Sequence, residues 1–425
     1  MIILLFILFI AFLVIGLPIF MTLALSSSVI IAGFTSLDPI ILVQRMFSGV
    51  DKFSLMAVPF FIFAANVMNQ GGLAPRLLKF VNAVVGHVRG GLAFTVVITC
   101  MFLGAVSGSA PATVVAVCSI MMPIMVESGY GKGFTIGLIM AASSVAVIIP
   151  PSIGMIVYGS VTGVSIGQVF MGGFLPGVIY GGIFMIWCYI YAKLNKVPLK
   201  ERSSFKEIWN SLIEAIWVLG IPIIIIGGIY GGFVTPTESA GIAGIYSIFV
   251  SCIIYRELSF KELFNVSYES AISTAQNMIL LAGASIFAWV LTRYQVPTNL
   301  AKGIMVFANN KYMVLLLMNV IMLIAGMFLD PASIITIMAP LFLPIAIQFN
   351  IDPVHLGVVM VVNGAIGMFT PPFGLNLFIA SGITKIPMGD LMKTVWIWVI
   401  LSILALIIIT YIPSITLYLP RLIFK

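Results

Sequence analysis

The chain has 425 residues, of which 61% are apolar and only 8% charged. Soluble domains run at roughly 45–50% apolar and about 25% charged, so a soluble fold is excluded and a membrane domain is expected throughout. The formal charge of +7 comes from Lys and Arg scattered through short loops, a pattern that orients a membrane protein in its bilayer and speaks against nucleic acid as a partner.

A hydrocarbon core about 30 Å thick needs around 20 apolar residues per helix, and the chain has material for about ten such segments or more. The first apolar run, 2–34, breaks at Gly16-Leu17-Pro18 and precedes the first cation, Arg45, so a cleaved signal peptide is disfavoured. Further runs cover 54–68, 92–126, 134–158 and 169–192. A strongly charged stretch, 193–210, then interrupts, and apolar runs resume over 212–233, 237–255, 268–291, 312–349, 354–383 and 394–419. Cys100, Cys118, Cys188 and Cys252 all lie inside apolar runs without CxxC spacing, which predicts small buried hydrophobes and neither disulfides nor a transition-metal site.

A shift of 221 residues lays Pro123 on Pro344, Pro150-Pro151 on Pro371-Pro372, and Ser109 on Asp330. Such self-similarity predicts an internal duplication, with one repeat over 1–195, a linker over 196–210 and a second repeat over 211–425. Helices fill 1–90 and 211–310. The runs that follow are interrupted centrally by Gly-Ser-Ala-Pro or by Asp330-Pro331. As single rods they would be about 52 Å long, too long for one crossing, so re-entrant hairpins are expected over 92–127 and 312–349. Backbone turns at membrane depth survive only where protein or a watery cavity surrounds them. Helices broken by paired prolines follow over 133–162 and 354–384, then closing helices over 168–193 and 390–420.

Hairpins that return to their own side leave each half with an odd number of crossings, which inverts one half relative to the other. With the N-terminus outside, Arg45, Lys52, Arg293, Lys302, Lys311, Arg421 and Lys425 fall outside and the remaining thirteen cations inside, as the positive-inside rule requires.

Chemistry concentrates at the interruptions. Residues 102–113 pack small and hydroxyl side chains, Ser107 and Ser109 among them, into an otherwise apolar run. Where two half-helices meet, the free N–H groups of one suit a carboxylate, and the carbonyls and hydroxyls of the other suit a hard cation such as sodium; close packing through small residues is the plainer reading. The prolines at 150–151 and 371–372 expose carbonyls one turn upstream, with Thr370 offering a hydroxyl beside the second break. Asp330 is an ionisable group at a hairpin turn, either a functional carboxylate or a cap for the next half-helix. Glu238, after Thr235-Pro236-Thr237, reads as a residue stabilising a helix start. Arg293 ends a long helix and suits bidentate carboxylate recognition, or snorkels to the surface. His87 and His355 have no partner spacing, and no phosphate-binding loop or nucleophile triad appears.

These segments together resemble one family over nearly the whole chain. Gly16-Leu-Pro18, residues 103–113, Ile149-Pro-Pro-Ser152, residues 233–241 and Thr370-Pro-Pro-Phe-Gly374 are similar to the large membrane subunit of tripartite ATP-independent periplasmic (TRAP) transporters. The resemblance implies an all-α polytopic elevator protein, with scaffold and transport domain built from two inverted repeats, in the bacterial inner membrane. It implies uptake of an anionic solute coupled to sodium bound at two sites. Partners implied are a small four-helix membrane subunit, a soluble periplasmic binding protein and the lipid bilayer. It assigns Ser107, Ser109, Ser143, Val147 and Pro150 to one sodium site and Gly326, Gly367 and Thr370, beside Asp330, to the other. Ser109, Arg293 and Asp330 are the expected substrate contacts. Arg293 resembles the sialic-acid branch; a C4-dicarboxylate is the other substrate considered. The start at Met1 suggests that the small subunit is a separate chain. The rival readings are a stand-alone divalent-anion/sodium symporter, which needs no binding protein, and an intramembrane enzyme, for which Asp330 and Glu238 supply too few catalytic groups. A passive channel would require rings of pore-lining charge.

Overall fold

A break in a helix leaves backbone groups that must find partners inside the protein, and the placement of such breaks organises this chain. The computed structural model describes residues 1–307 and 310–424, without the side chains of 301, 302 and 304–307. Ala308, Asn309 and Lys425, and the side chain of Lys302, therefore lie outside what is described. All regular structure among the described residues is helical.

The first repeat opens with α1 (Ile2–Val14), α2 (Ile19–Phe34), α3 (Ile40–Val50), α4 (Ala57–Gln70) and α5 (Leu73–Val85). It continues with α6 (Gly91–Ser107), α7 (Ala110–Glu127), α8 (Lys132–Ile148), α9 (Ile153–Thr162) and α10 (Ile166–Leu194). The second holds α11 (Phe205–Tyr230), α12 (Pro236–Ile248), α13 (Phe260–Arg293), α14 (Val296–Phe307), α15 (Lys311–Gly326) and α16 (Pro331–Gln348). The chain closes with α17 (Pro353–Gly367), α18 (Leu375–Thr384), α19 (Met388–Thr394), α20 (Trp396–Tyr411) and α21 (Ser414–Ile423).

Both long apolar runs are broken where expected. α6 and α7 pack against each other on either side of Gly108-Ser109, and α15 and α16 do the same around 327–330. The helices broken by paired prolines are α8–α9 and α17–α18; the Pro150-Pro151 and Pro371-Pro372 bonds are both cis. α8 and α17 hold corresponding places: each packs on both arms of its own hairpin, and they pack on each other. Both are buried along nearly their whole length. A second group surrounds α13, which packs on α2, α3 and α4, while α12 packs on α4 and α11 on α5.

Several boundaries differ from expectation. The linker ends at Ser204 rather than 210, because the Ser204 hydroxyl accepts from the Glu207 N–H while the Glu207 carboxylate accepts from the Ser204 N–H, a capping box that starts α11 early. The closing helix expected over 390–420 is three pieces. α19 and α20 meet at 46°, where the Thr394 hydroxyl donates to the Leu391 carbonyl and competes with the helical ladder; Pro413, which has no N–H, separates α20 from α21. Two short helices, α3 and α5, were not foreseen as separate elements. α5 buries Leu73, Ala74, Leu77, Leu78 and Val81 on one face and turns Arg76, Lys79 and Asn82 away from it, an amphipathic pattern that hydropathy alone passes over. The described residues contain eight helices long and apolar enough to cross a bilayer, or nine with the bent pair counted. That is fewer than ten, because several half-helices are too short to qualify.

Large apolar side chains such as Ile186, Ile223, Ile245, Ile253 and Ile400 remain exposed on the outer faces of these helices, the surface a lipid-facing protein presents.

Candidate functional site

The hairpin turns are built by capping. Gly108 has φ +56°, left-handed backbone that glycine adopts freely, and it ends α6. Ser109 follows as the N-cap of α7: its hydroxyl accepts from the Ala112 N–H at 3.5 Å, and its own N–H donates to the Ser107 hydroxyl at 3.3 Å. In the second repeat Asp330 holds the same position. Its carboxylate accepts from the backbone N–H groups of Ala332 at 3.0 Å and Ser333 at 3.2 Å, and from the Ser333 hydroxyl. The superposition of Ser109 on Asp330 is thus one of equivalent caps, each with a proline in the first turn after it, Pro111 two residues on and Pro331 immediately.

The two turns meet at one cavity of about 510 Å³. Gly108, Ser109 and Pro111 line it from the first repeat, Asp330, Pro331 and Ala332 from the second, and Val147 and Met368 from the two broken helices. Asp330 therefore both caps α16 and faces the cavity. The opposite wall is α13, through Ser273, Gln276, Asn277 and Leu280. Hydropathy had marked that stretch only as apolar; the signal missed was Ser273-Thr-Ala-Gln-Asn277, a polar cluster in the middle of a membrane helix.

Each turn is seated on its neighbouring break. A Cβ on Gly108 would lie 2.6 Å from the Pro151 carbonyl oxygen, so the first turn touches the first break directly. Beside it the Ser152 hydroxyl is fully buried without a hydrogen-bond partner. In the second repeat Gly326 packs on Gly367, and the nearby Asn363 side chain keeps a buried oxygen unpartnered.

Other expected site residues stand elsewhere. The Ser143 hydroxyl donates to the Ile139 carbonyl at 2.7 Å and lies 3.8 Å from the Cys100 sulfur, within the α6–α8 interface. Thr370 is buried, and its hydroxyl donates to the Ile366 carbonyl at 2.6 Å. Arg293 does not line the cavity. It is exposed at the end of α13, its guanidinium 5.7 Å from the Trp289 ring centre, because the sixteen residues from Asn277 carry it about 24 Å along the helix. Glu238 is a capping residue: its carboxylate accepts from the Thr235 N–H at 2.8 Å.

Residues 6–415 match the family described as "Tripartite ATP-independent periplasmic transporter, DctM component". The chain belongs to this TRAP large-permease family. It is 43% identical over 400 residues to the C4-dicarboxylate TRAP transporter large permease protein DctM of Pseudomonas aeruginosa, covering 94% of each chain. It is 40% identical to the protein of the same name from Vibrio cholerae, over 99% of this chain and 97% of that one. The isethionate TRAP transporter permease protein DctMQ of Oleidesulfovibrio alaskensis is 40% identical across 96% of this chain but 65% of its own length. The fold is similar to that of the Alcanivorax borkumensis YdaH transporter, with a TM-score of 0.62 at 17% identity over 89% of this chain and 88% of that one. The chain is thus a multi-pass transport permease and not an enzyme.

Proposed function

We propose that this permease carries small organic acids across the bacterial inner membrane by coupling their uptake to sodium. The observation that carries the reading is the charge in the cavity: among its described lining residues Asp330 is the only charged group. A carboxylate solute entering there meets a like charge unless a cation offsets it. Sodium suits that task. The unpartnered Ser152 hydroxyl at the first break and the unpartnered Asn363 oxygen one turn before the end of α17 are hard oxygen ligands, and the Gly367 and Met368 carbonyls, each accepting one hydrogen bond, keep a second lone pair for a cation. Ser107, Ser109 and Pro150 belong with the first site, and Gly326, Gly367 and Asp330 with the second. The N-termini of α7 and α16 then add partial positive charge toward the substrate carboxylate.

The hairpins and broken helices form the moving body, α13 and its neighbours the scaffold, and inverted repeats supply two related conformations for an elevator stroke. The N-terminus lies on the periplasmic side. The partners are a small membrane subunit and a periplasmic binding protein that delivers the acid. A C4-dicarboxylate is the preferred substrate: relatives carry that name, and the arginine that favoured sialic acid stands away from the cavity. Proteoliposomes holding the permease, its small subunit and binding protein test this reading with labelled succinate and sialic acid. Uptake of succinate driven by an inward sodium gradient is expected; gradient-independent uptake of either acid, or uptake by the permease alone at the full rate, overturns it.

A further inference from the structure

A second cavity, about 260 Å³, lies farther along α13, between α3 and α13 on one side and α9 and α16 on the other. It is built unlike the first. Arg45 and Lys52 line it together with the hydroxyl side chains of Ser48, Thr292 and Thr336 and the indole of Trp289. No carboxylate lines it among the described residues, and neither cation has an ion-pair partner there. The Arg45 guanidinium sits 5.2 Å from the Trp289 ring centre, with Arg293 5.7 Å from the same ring. Lys52 is anchored by donating to the Ser160 carbonyl at 2.6 Å. The Ser48, Thr292 and Thr336 hydroxyls already donate to the Arg45, Ala288 and Ala332 carbonyls, so it is the two positive groups without counter-ions that make the cavity a receptor for a small anion.

The position of this cavity gives the anion a destination. α13 lines the first cavity through Gln276 and Leu280 and the second through Ala284, Ala288 and Thr292, a continuous stripe at spacings of four. α16 does the same, with Asp330 and Ala332 at the first and Thr336 and Pro340 at the second. One helical turn, about 5.4 Å, therefore separates the two cavities along either helix.

We propose that the Arg45–Lys52 cavity is an antechamber, a second anion subsite that gathers small carboxylates beside the seam leading to the hairpin turns. It rests on the reading of the permease as a carrier of organic acids and extends it. The antechamber holds the anion among positive charges, while the inner cavity, where Asp330 is the one charged group among the described lining residues, accepts it once a cation is bound. Recognition here is by charge and not by carbon skeleton, so a dicarboxylate spanning both cations is favoured over a monocarboxylate.

The test is thiol labelling of the full permease at Ser48→Cys, an exposed lining position, in a Cys252→Ser background because the other cysteines are buried. Rates are measured with a sulfonate-bearing and a trimethylammonium-bearing methanethiosulfonate reagent and normalised to those of free cysteine. The anionic reagent is expected to be favoured about tenfold, and Arg45→Gln with Lys52→Gln to abolish the preference. Millimolar succinate should slow labelling of the variant that keeps both cations, acetate less, and glycerol not at all. Equal normalised rates, a preference that survives loss of both cations, or protection by succinate no better than by glycerol overturns the antechamber. Labelling needs no transport: the preference without any uptake counts against the transport reading alone, and uptake without the preference counts against this inference alone.

Discussion

Gly326 and Gly367 meet backbone to backbone: a Cβ built on Gly367 would lie 2.5 Å from the Gly326 carbonyl oxygen and 2.6 Å from its Cα. The first repeat makes the same contact between Gly104 and the Cα of Ala146, and the 221-residue shift lays Ala146 on Gly367. In both halves the inbound arm of the hairpin presses on the helix that breaks at paired prolines. The close approach ties the hairpin to the break, so the two parts of each proposed sodium site are held against each other.

Gly367→Ala therefore forces two helices apart where neither has a flexible side chain to give way. Overpacking of this kind costs about 1–3 kcal/mol, and the melting temperature in detergent should fall by several degrees with uptake. Gly382→Ala on α18, where a Cβ meets nothing within 4 Å, is the matched control and should melt no lower than the parent protein. Equal behaviour of the two variants would remove the close-contact argument.

Asp330 has two roles that substitution separates. Asn is also a good N-cap, so Asp330→Asn keeps the start of α16 and removes only the charge, whereas Asp330→Ala removes both at about 1 kcal/mol of stability. The proposed sodium coupling predicts that both variants lose sodium-dependent uptake at least tenfold and that only the Ala variant melts lower. Full uptake by Asp330→Asn would show that the carboxylate serves the helix alone.

The paired breaks, the duplicated hairpins and the capping position of Asp330 were legible in the sequence because proline and hydroxyl residues in an apolar run have few other uses. What faces the hairpins was not. Ser273, Gln276 and Asn277 come from a helix whose hydropathy reads as lipid-embedded, and only the tertiary arrangement turns that stripe inward. Arg293 shows the converse: its chemistry suits a carboxylate, but distance along α13 decides, and sixteen residues of helix set it apart from Asn277. The end of α11's linker was readable in hindsight from Ser204 and Glu207, since their spacing of three is a capping signature.

The α13 stripe should tune substrate affinity. Gln276 is exposed to the cavity, while the Asn277 amide donates to the Ser273 carbonyl at 2.8 Å. Neither is buried, so Gln276→Ala and Asn277→Ala should leave melting within about 1 kcal/mol of the parent. If they contact the acid, KM for uptake rises while kcat changes little, the signature of lost uniform binding. An unchanged KM in both variants would place the substrate away from α13.

A buried amide chain offers a test of how the central helices are held together. The Asn319 side chain on α15 donates to the Thr410 hydroxyl on α20 at 3.0 Å and accepts from the Asn363 side chain on α17 at 2.8 Å. All three residues are buried. Asn319→Leu strips the Thr410 hydroxyl of this partner and leaves the Asn363 amide nitrogen with only the Val359 carbonyl, at 2.9 Å, beside the Asn363 oxygen that already has no partner. Hydrogen bonds between membrane helices contribute about 0.6–2 kcal/mol each, so the variant should unfold more easily by roughly 1–3 kcal/mol. Replacing Asn363 by Leu as well removes the half-satisfied amide, and the double variant should lose less than the sum of the two single losses. Strict additivity in detergent unfolding would mean that the two amides do not act on each other.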